Sequence, residues 1–102
     1  MDPNNKLTIN HAKDAEDNLI LFIAGDLDVQ TAPQLRRFID TAIREGAVNV
    51  RLDLSQLSYL DSSGYGVLID AARRAGHARC QLDLTSMPPW MTDFFDMSAL
   101  EA

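Results

Sequence analysis

A chain of 102 residues with 15 acidic and 9 basic side chains carries a formal charge of −6. That length holds one domain, residues 1–102, and an apolar fraction of 46% argues against wholesale disorder. Acidity of this size disfavours direct nucleic-acid binding. The single cysteine, Cys80, excludes an internal disulfide framework and offers no metal cluster, and no apolar run approaches the roughly 18–20 residues of a membrane span.

Met1 to Asn5 reads as a frayed end, and the polar start through His11 carries no secretory signal, so the cytoplasm is the expected compartment. Leu7-Thr8-Ile9 alternates and suggests a short strand. The polar stretch Asp14 to Asn18 suits a turn, and Leu19 to Ala24 is a continuous apolar run ended by Gly25. Such a run predicts a strand buried on both faces, hairpinned to the first.

Asp26 to Gln30 follows as a loop. Thr31 and Gln34 have the spacing of a capping box, with Pro33 tolerated in the first turn. Leu35, Phe38, Ile39, Ala42 and Ile43 step by three and four, which predicts a helix with one buried face, stopped by Gly46. Val48, Val50, Leu52 and Leu54 alternate with polar residues and predict a strand, followed by a polar connector over Ser55 to Ser58. A second helix is expected from about Ser62 to Ala75, with Leu68, Ile69, Ala72 and Ala75 on one face and Gly76 as its end. Ala78, Cys80, Leu82 and Leu84 alternate as a fourth strand, with Cys80 a buried structural thiol. Ser86 to Met97 suits a third helix that starts no earlier than Pro88 and Pro89. Met87, Trp90, Met91, Phe94, Phe95 and Met97 form its apolar cluster. Packed, they are core; uncovered, they leave room for weak self-association. The expected fold is α/β, in the order β-β-α-β-α-β-α, a mixed sheet of about four strands covered by helices.

Residues 61–66, Asp-Ser-Ser-Gly-Tyr-Gly, break local rules. Glycine in a helix interior costs about 0.8–1 kcal/mol relative to alanine, and two occur in the first turns. Gly64 and Gly66 let another backbone or a partner surface come close; tight packing of the helix start on the sheet explains them equally well. Ser62 stands where an N-cap belongs, and most such serines only cap. A helix N-terminus also tolerates a phosphate well, since N–H groups and the positive end of the dipole face it.

Leu52 through Leu68, with its core Asp61-Ser62-Ser63-Gly64-Tyr65-Gly66-Val67-Leu68, resembles the signature of STAS domains, specifically bacterial anti-sigma factor antagonists. Gly25-Asp26-Leu27-Asp28 resembles the family's G-[ED]-[LI]-D loop, and Phe95 to Leu100 its F-D-[LM]-[ST]-G-L, with Ala99 in place of the glycine. The resemblance implies a non-catalytic, cofactor-free switch. Ser62 would be the phosphoacceptor, and Asp28 and Asp61 the acidic residues beside it. The partner would be an anti-sigma factor that is also a serine/threonine kinase: unmodified antagonist binds it and frees a sigma factor, phosphorylated antagonist lets go, and a phosphatase resets the cycle. Ser63, Gly64 and Gly66 would surround the acceptor as partner-binding surface; Leu27, Val29 and Tyr65 suit apolar contacts around it and suit the core equally well. Family members usually continue with a further strand and helix, which are expected to be lacking here.

The alternative is a non-switching STAS module in a signalling scaffold or a lipid-transport complex, with the serine region as a plain docking surface. Enzyme readings fit poorly. Asp26-x-Asp28 begins like a haloacid-dehalogenase motif, but the fifth position is Gln30. Asp53 could pose as a receiver aspartate, but no lysine follows Lys13. The hydrolase pattern G-x-S-x-G lacks its leading glycine.

Overall fold

The alternation in the first third of the chain folds as a hairpin. A computed structural model, which describes residues 6–92, places β1 at Leu7–Lys13 and β2 at Leu19–Leu27, antiparallel, with Leu7 opposite Gly25 and Lys13 opposite Leu19. Asp14 closes the turn: its carboxylate accepts the N–H groups of Glu16 (2.9 Å) and Asn18 (3.0 Å), the local bonding that makes aspartate a turn residue. The Asn18 bonds hold its carboxyl below the ordinary value.

Both strands outrun their expected lengths. Gly25 does not end β2 but sits within it at φ 103°, where a Cβ would collide with the carbonyl oxygen of Lys6. Asp26 and Leu27 therefore belong to the strand and not to the following loop. Burial on both faces is not found either. Leu21, Ile23 and Leu27 enter the core, while Phe22 on the opposite face is 42% exposed.

Helix α1 spans Ala32–Arg44 and buries Leu35, Ile39 and Ala42, the expected stripe; Glu45 caps it and Gly46 follows at φ 86°. Phe38 stands at the exposed margin of that stripe. The capping box does not form: Thr31 makes no side-chain cap, and the Gln34 amide donates instead to the Leu7 carbonyl (3.3 Å).

β3, Asn49–Leu60, pairs parallel with β2 and continues straight through the predicted connector. Phe22 faces Asp53 but Ala24 faces Gln56; Gly25 faces Leu57 but Asp26 faces Tyr59. Each shift inserts one extra residue into β3, a bulge. The inward leucines consequently change spacing from two to three: Leu52 and Leu54, then Leu57 and Leu60, all buried. Sequence alternation ends at Leu54 for that reason, not because the strand ends.

α2 spans Ser62–His77 and β4 spans Gln81–Thr85, parallel to β3. The helix passes through Gly76 and stops at the Ala78 cap, followed by Arg79 at φ 58°. It buries Gly64, Leu68, Ala71 and Ala75, so Ala71 takes the place expected of Ile69 and Ala72. β4 starts later than Ala78, and Cys80 just before it is buried, which raises its thiol pKa.

The sheet order is β1-β2-β3-β4. Both crossovers step the same way, so the right-handed rule places both helices on one face. There α1 and α2 pack together, and Arg74 pairs with Asp40 across the seam and with Asp70 on its own helix (3.4 Å). Arg74 is thus structural, whereas Arg36, Arg37 and Arg73 are exposed. The last described helix, α3, is Pro89–Thr92; Met91 is fully buried while Trp90 is 42% exposed, so the expected cluster is split. The remainder of that helix, Phe94, Phe95, Met97, the motif ending at Leu100 and the expected frayed start lie outside the described residues. Among the described residues no helix is long and apolar enough to cross a membrane, and none are grouped to hold a metal ion.

Candidate functional site

Parallel β2 and β3 end side by side, Leu27 beside Leu60, and each hands over to a helix. The site is built from these two junctions.

At the end of β3, Asp61 has extended backbone and its carboxylate accepts the N–H of Gly64 (2.9 Å). The N-cap is therefore Asp61, and Ser62 is the first residue of the helix, a correction to the expected order. The difference matters chemically. With Asp61 capping, the Ser62 side chain is spared that task, and both Ser62 and Ser63 are exposed. The first turn is pinned to β2 by the Asp61 N–H, which donates to the Leu27 carbonyl (3.3 Å). Gly64 makes this approach possible. A Cβ there would run into the Leu27 carbonyl oxygen and lie 2.8 Å from Leu60 Cδ1. Gly66, one turn from Ser62, is different: it is exposed, and a Cβ would meet nothing within 4 Å.

At the end of β2, Asp28 is only 7% exposed. Its Oδ1 accepts the N–H groups of Gln30 (2.9 Å) and Thr31 (3.1 Å), and its own N–H donates to Thr31 Oγ1 (2.9 Å). Thr31 in turn donates its hydroxyl to the Asp26 carbonyl (2.8 Å). Asp28 thus fixes the loop before α1, while the Gln34 N–H that a capping Thr31 side chain would take goes to the Thr31 carbonyl (2.9 Å). Its Oδ2 accepts from Lys6 Nζ at 2.7 Å, and Lys6 also reaches Gln30 Oε1 at 2.9 Å. The Lys6 bond, with the Thr31 and Gln30 N–H groups, holds the Asp28 carboxyl below its ordinary value, and the same bond raises Lys6.

Ser62, Ser63, Asp61 and Gly66 come together on the surface at the end of the sheet, with Tyr65 half-buried beside them. Leu27 and Gly64 lie inside and shape this surface from below. Asp28 is present at the same end, but as a neutralised ion pair. Two exposed apolar side chains flank the junctions: Val29, 66% exposed on the β2–α1 loop, and Tyr59, 51% exposed. Tyr59 was not legible as a site residue; it faces outward only because the bulges turn Leu57 and Leu60 inward. Lys6 was missed because its partner lies 22 residues away. At the opposite end of the sheet a hollow of about 810 Å³ lies between the hairpin and α1, lined by Leu19, Leu21, Phe38, Ala42 and Val48 among others.

A one-faced four-strand sheet with this strand–Asp–Ser–helix junction defines the class, and comparison with known proteins agrees. The family model described as "Mlab, STAS domain" matches residues 11–102, and the chain belongs to the STAS domain family. Within it, the chain groups with the anti-sigma factor antagonists. It is 31% identical over 85 residues to the anti-sigma-B factor antagonist of Listeria monocytogenes, covering 82% of this chain and 74% of the relative. It is 30% identical over 89 residues to that of Bacillus subtilis, covering 87% and 81%. The unphosphorylated form of the anti-sigma factor antagonist SpoIIAA superposes with a TM-score of 0.71 at 25% identity, covering 86% of this chain and 81% of that one. An anti-sigma factor antagonist from Mycobacterium paratuberculosis shares the fold, with a TM-score of 0.81 at 19% identity over 99% of this chain and 85% of the other.

Proposed function

We propose that this protein is a phosphorylation-controlled binding switch: with Ser62 unmodified it holds an anti-sigma factor and so releases a sigma factor, and with Ser62 phosphorylated it lets go. The observation that carries the reading is the exposed Ser62 hydroxyl at the first position of α2, relieved of capping by Asp61. The relatives named as antagonists of an anti-sigma factor support the partner class, and SpoIIAA, known in unphosphorylated and phosphorylated forms, supports the modification. The anti-sigma factor itself is the kinase in this scheme. It transfers the γ-phosphoryl group of ATP to Ser62 Oγ, releasing ADP and the hydroxyl proton, and a phosphatase hydrolyses the ester.

A phosphoserine adds a charge of about −1.5 to −2 at neutral pH. Two unit charges about 6 Å apart at an effective dielectric of about 20 interact by roughly 3 kcal/mol, and about 1.4 kcal/mol is tenfold in affinity. With Asp28 already paired to Lys6, the repulsion falls chiefly on Asp61 and on whatever acidic or apolar surface the partner presents. Gly66 and Tyr65 on the helix start, with Val29 and Tyr59 exposed at the same end of the sheet, supply the contacts.

Phosphopeptide mapping after incubation with the co-purifying kinase and ATP tests the proposal. Label at Ser62, lost in Ser62→Ala, is expected. Label at Ser63 that persists in Ser62→Ala rejects it. Ser62→Asp should bind that kinase at least tenfold more weakly than wild type. Capture of a transporter ATPase in place of a kinase would favour the non-switching module.

A further inference from the structure

The acceptor end of the sheet has a cation of its own. Lys6, one residue before β1, grips the β2–α1 region at three points: its carbonyl accepts the Asp26 N–H (2.8 Å), and its ammonium donates to Asp28 (2.7 Å) and Gln30 (2.9 Å). Leu27, between Asp26 and Asp28, is held from the other side by the start of α2 through the Asp61 N–H. Lys6 thus holds Asp26, Asp28 and Gln30 from the β1 side, and the start of α2 holds Leu27 between them from the β3 side. β1 and β3 are two strand spacings apart, roughly 10 Å at the backbone, which is about one Debye length at physiological salt. The lysine side chain, directed at Asp28 across the end of β2, shortens that separation.

We infer that Lys6 is a positioning residue of the Ser62 site: by bridging Asp28 it cancels one of the two carboxylates beside the acceptor and sets how strongly a phosphate there contrasts with the unmodified surface. Without Lys6, Asp28 would stand as an unbalanced charge, and the unmodified surface would already resemble the modified one. The inference takes its biological meaning from Ser62 as acceptor, but the electrostatic coupling applies to any phosphate placed on that oxygen.

The experiment uses the full chain with phosphoserine installed at position 62 during translation, and follows the phosphate's second ionisation by phosphorus NMR. The charged and titratable groups at this end of the sheet are Asp61, which caps α2, and Lys6 with the groups that act on it, Asp26, Asp28 and Tyr59; His11 lies in the middle of β1 and His77 at the far end of α2. In Lys6→Met the proton affinity of the phosphate should rise about 3- to 10-fold, because a cation is removed and a carboxylate unmasked. Lys6→Arg should titrate as wild type. Lys6→Met combined with Asp28→Asn should return to within about twofold of wild type, since the charge balance is restored without the bridge. A Lys6→Met titration equal to wild type overturns the inference. So does a double variant shifted as far as the single one, which would mark a structural effect of losing the bridge. Should Lys6→Met fail to fold, acetylation of Lys6 removes the charge while keeping the lysine stem and one N–H donor, and the same two outcomes decide. Failure of the kinase to label Ser62 would end the switch reading and leave this titration unaffected.

Discussion

The same construction occurs twice in this molecule, with opposite emphasis. β2 and β3 both end in a leucine followed by an aspartate that leads to a helix, through a three-residue loop over residues 29–31 at the first and directly at the second. At the first junction the aspartate is buried, its carboxylate accepts two backbone N–H groups and a lysine, and the threonine that follows is itself buried. At the second junction the aspartate accepts a single N–H, and the residues after it are small and exposed. One junction spends its polar groups inward to fix a loop; the other leaves hydroxyls and bare backbone outward. The difference lies in which residue caps: a carboxylate that satisfies the helix start frees the neighbouring serine for chemistry.

Breaking the second junction from inside should give the largest effect. Gly64→Ala forces a methyl against the Leu27 carbonyl and the Leu60 side chain, and overpacking of this kind costs about 3 kcal/mol. Chemical denaturation measures it, and a loss below about 1 kcal/mol would show that α2 can slide off β2. Asp61→Ala removes the cap and should cost about 1 kcal/mol, with Asp61→Asn close to wild type. Gly66→Ala sharpens the contrast between the two glycines. With open space around it, alanine should stabilise the helix by about 0.5–1 kcal/mol while weakening kinase binding, because the partner loses its close approach. A gain in both stability and affinity would remove Gly66 from the contact surface.

The first junction is best probed by pH. Folding lowers the Asp28 carboxyl, so the stability it contributes is present above its unfolded value of 3.8 and is lost as pH falls through the lower folded value. Folding raises Lys6, so its share is present below 10.5 and is lost as pH rises through the higher folded value. In Lys6→Met/Asp28→Asn both shoulders of the thermal-midpoint profile should flatten while the neutral plateau moves least.

Local patterning revealed most of the architecture. The stripe of α1, the glycine after it, the hairpin and the parallel crossovers follow from periods of 3.6 and 2 and from turn residues. The family motif made Ser62 visible. What local reading could not reveal was set by partners distant in sequence. Leu-Ser-Gln-Leu-Ser-Tyr-Leu reads as a connector because a bulged strand has no simple period, and only pairing with β2 shows that it is one strand. Thr31 has the right spacing for a capping box, but its hydroxyl is committed to the Asp26 carbonyl and the Asp28 N–H, and the Gln34 amide reaches back to Leu7. The continuous apolar run at Leu19 concealed that one side of β2 is left open, since apolar content alone does not say which face the helices cover.

Each bulge in β3 absorbs its extra residue where it stands. Leu57, between the two, and Leu60, beyond both, are buried alike, so Leu27 and Leu60 end in the same interior. A length change at either bulge therefore need not come in even steps. Deleting Ser55 should close the first bulge, keep Leu57 and Leu60 facing inward, and draw Asp61 and the serine after it one residue back toward the sheet.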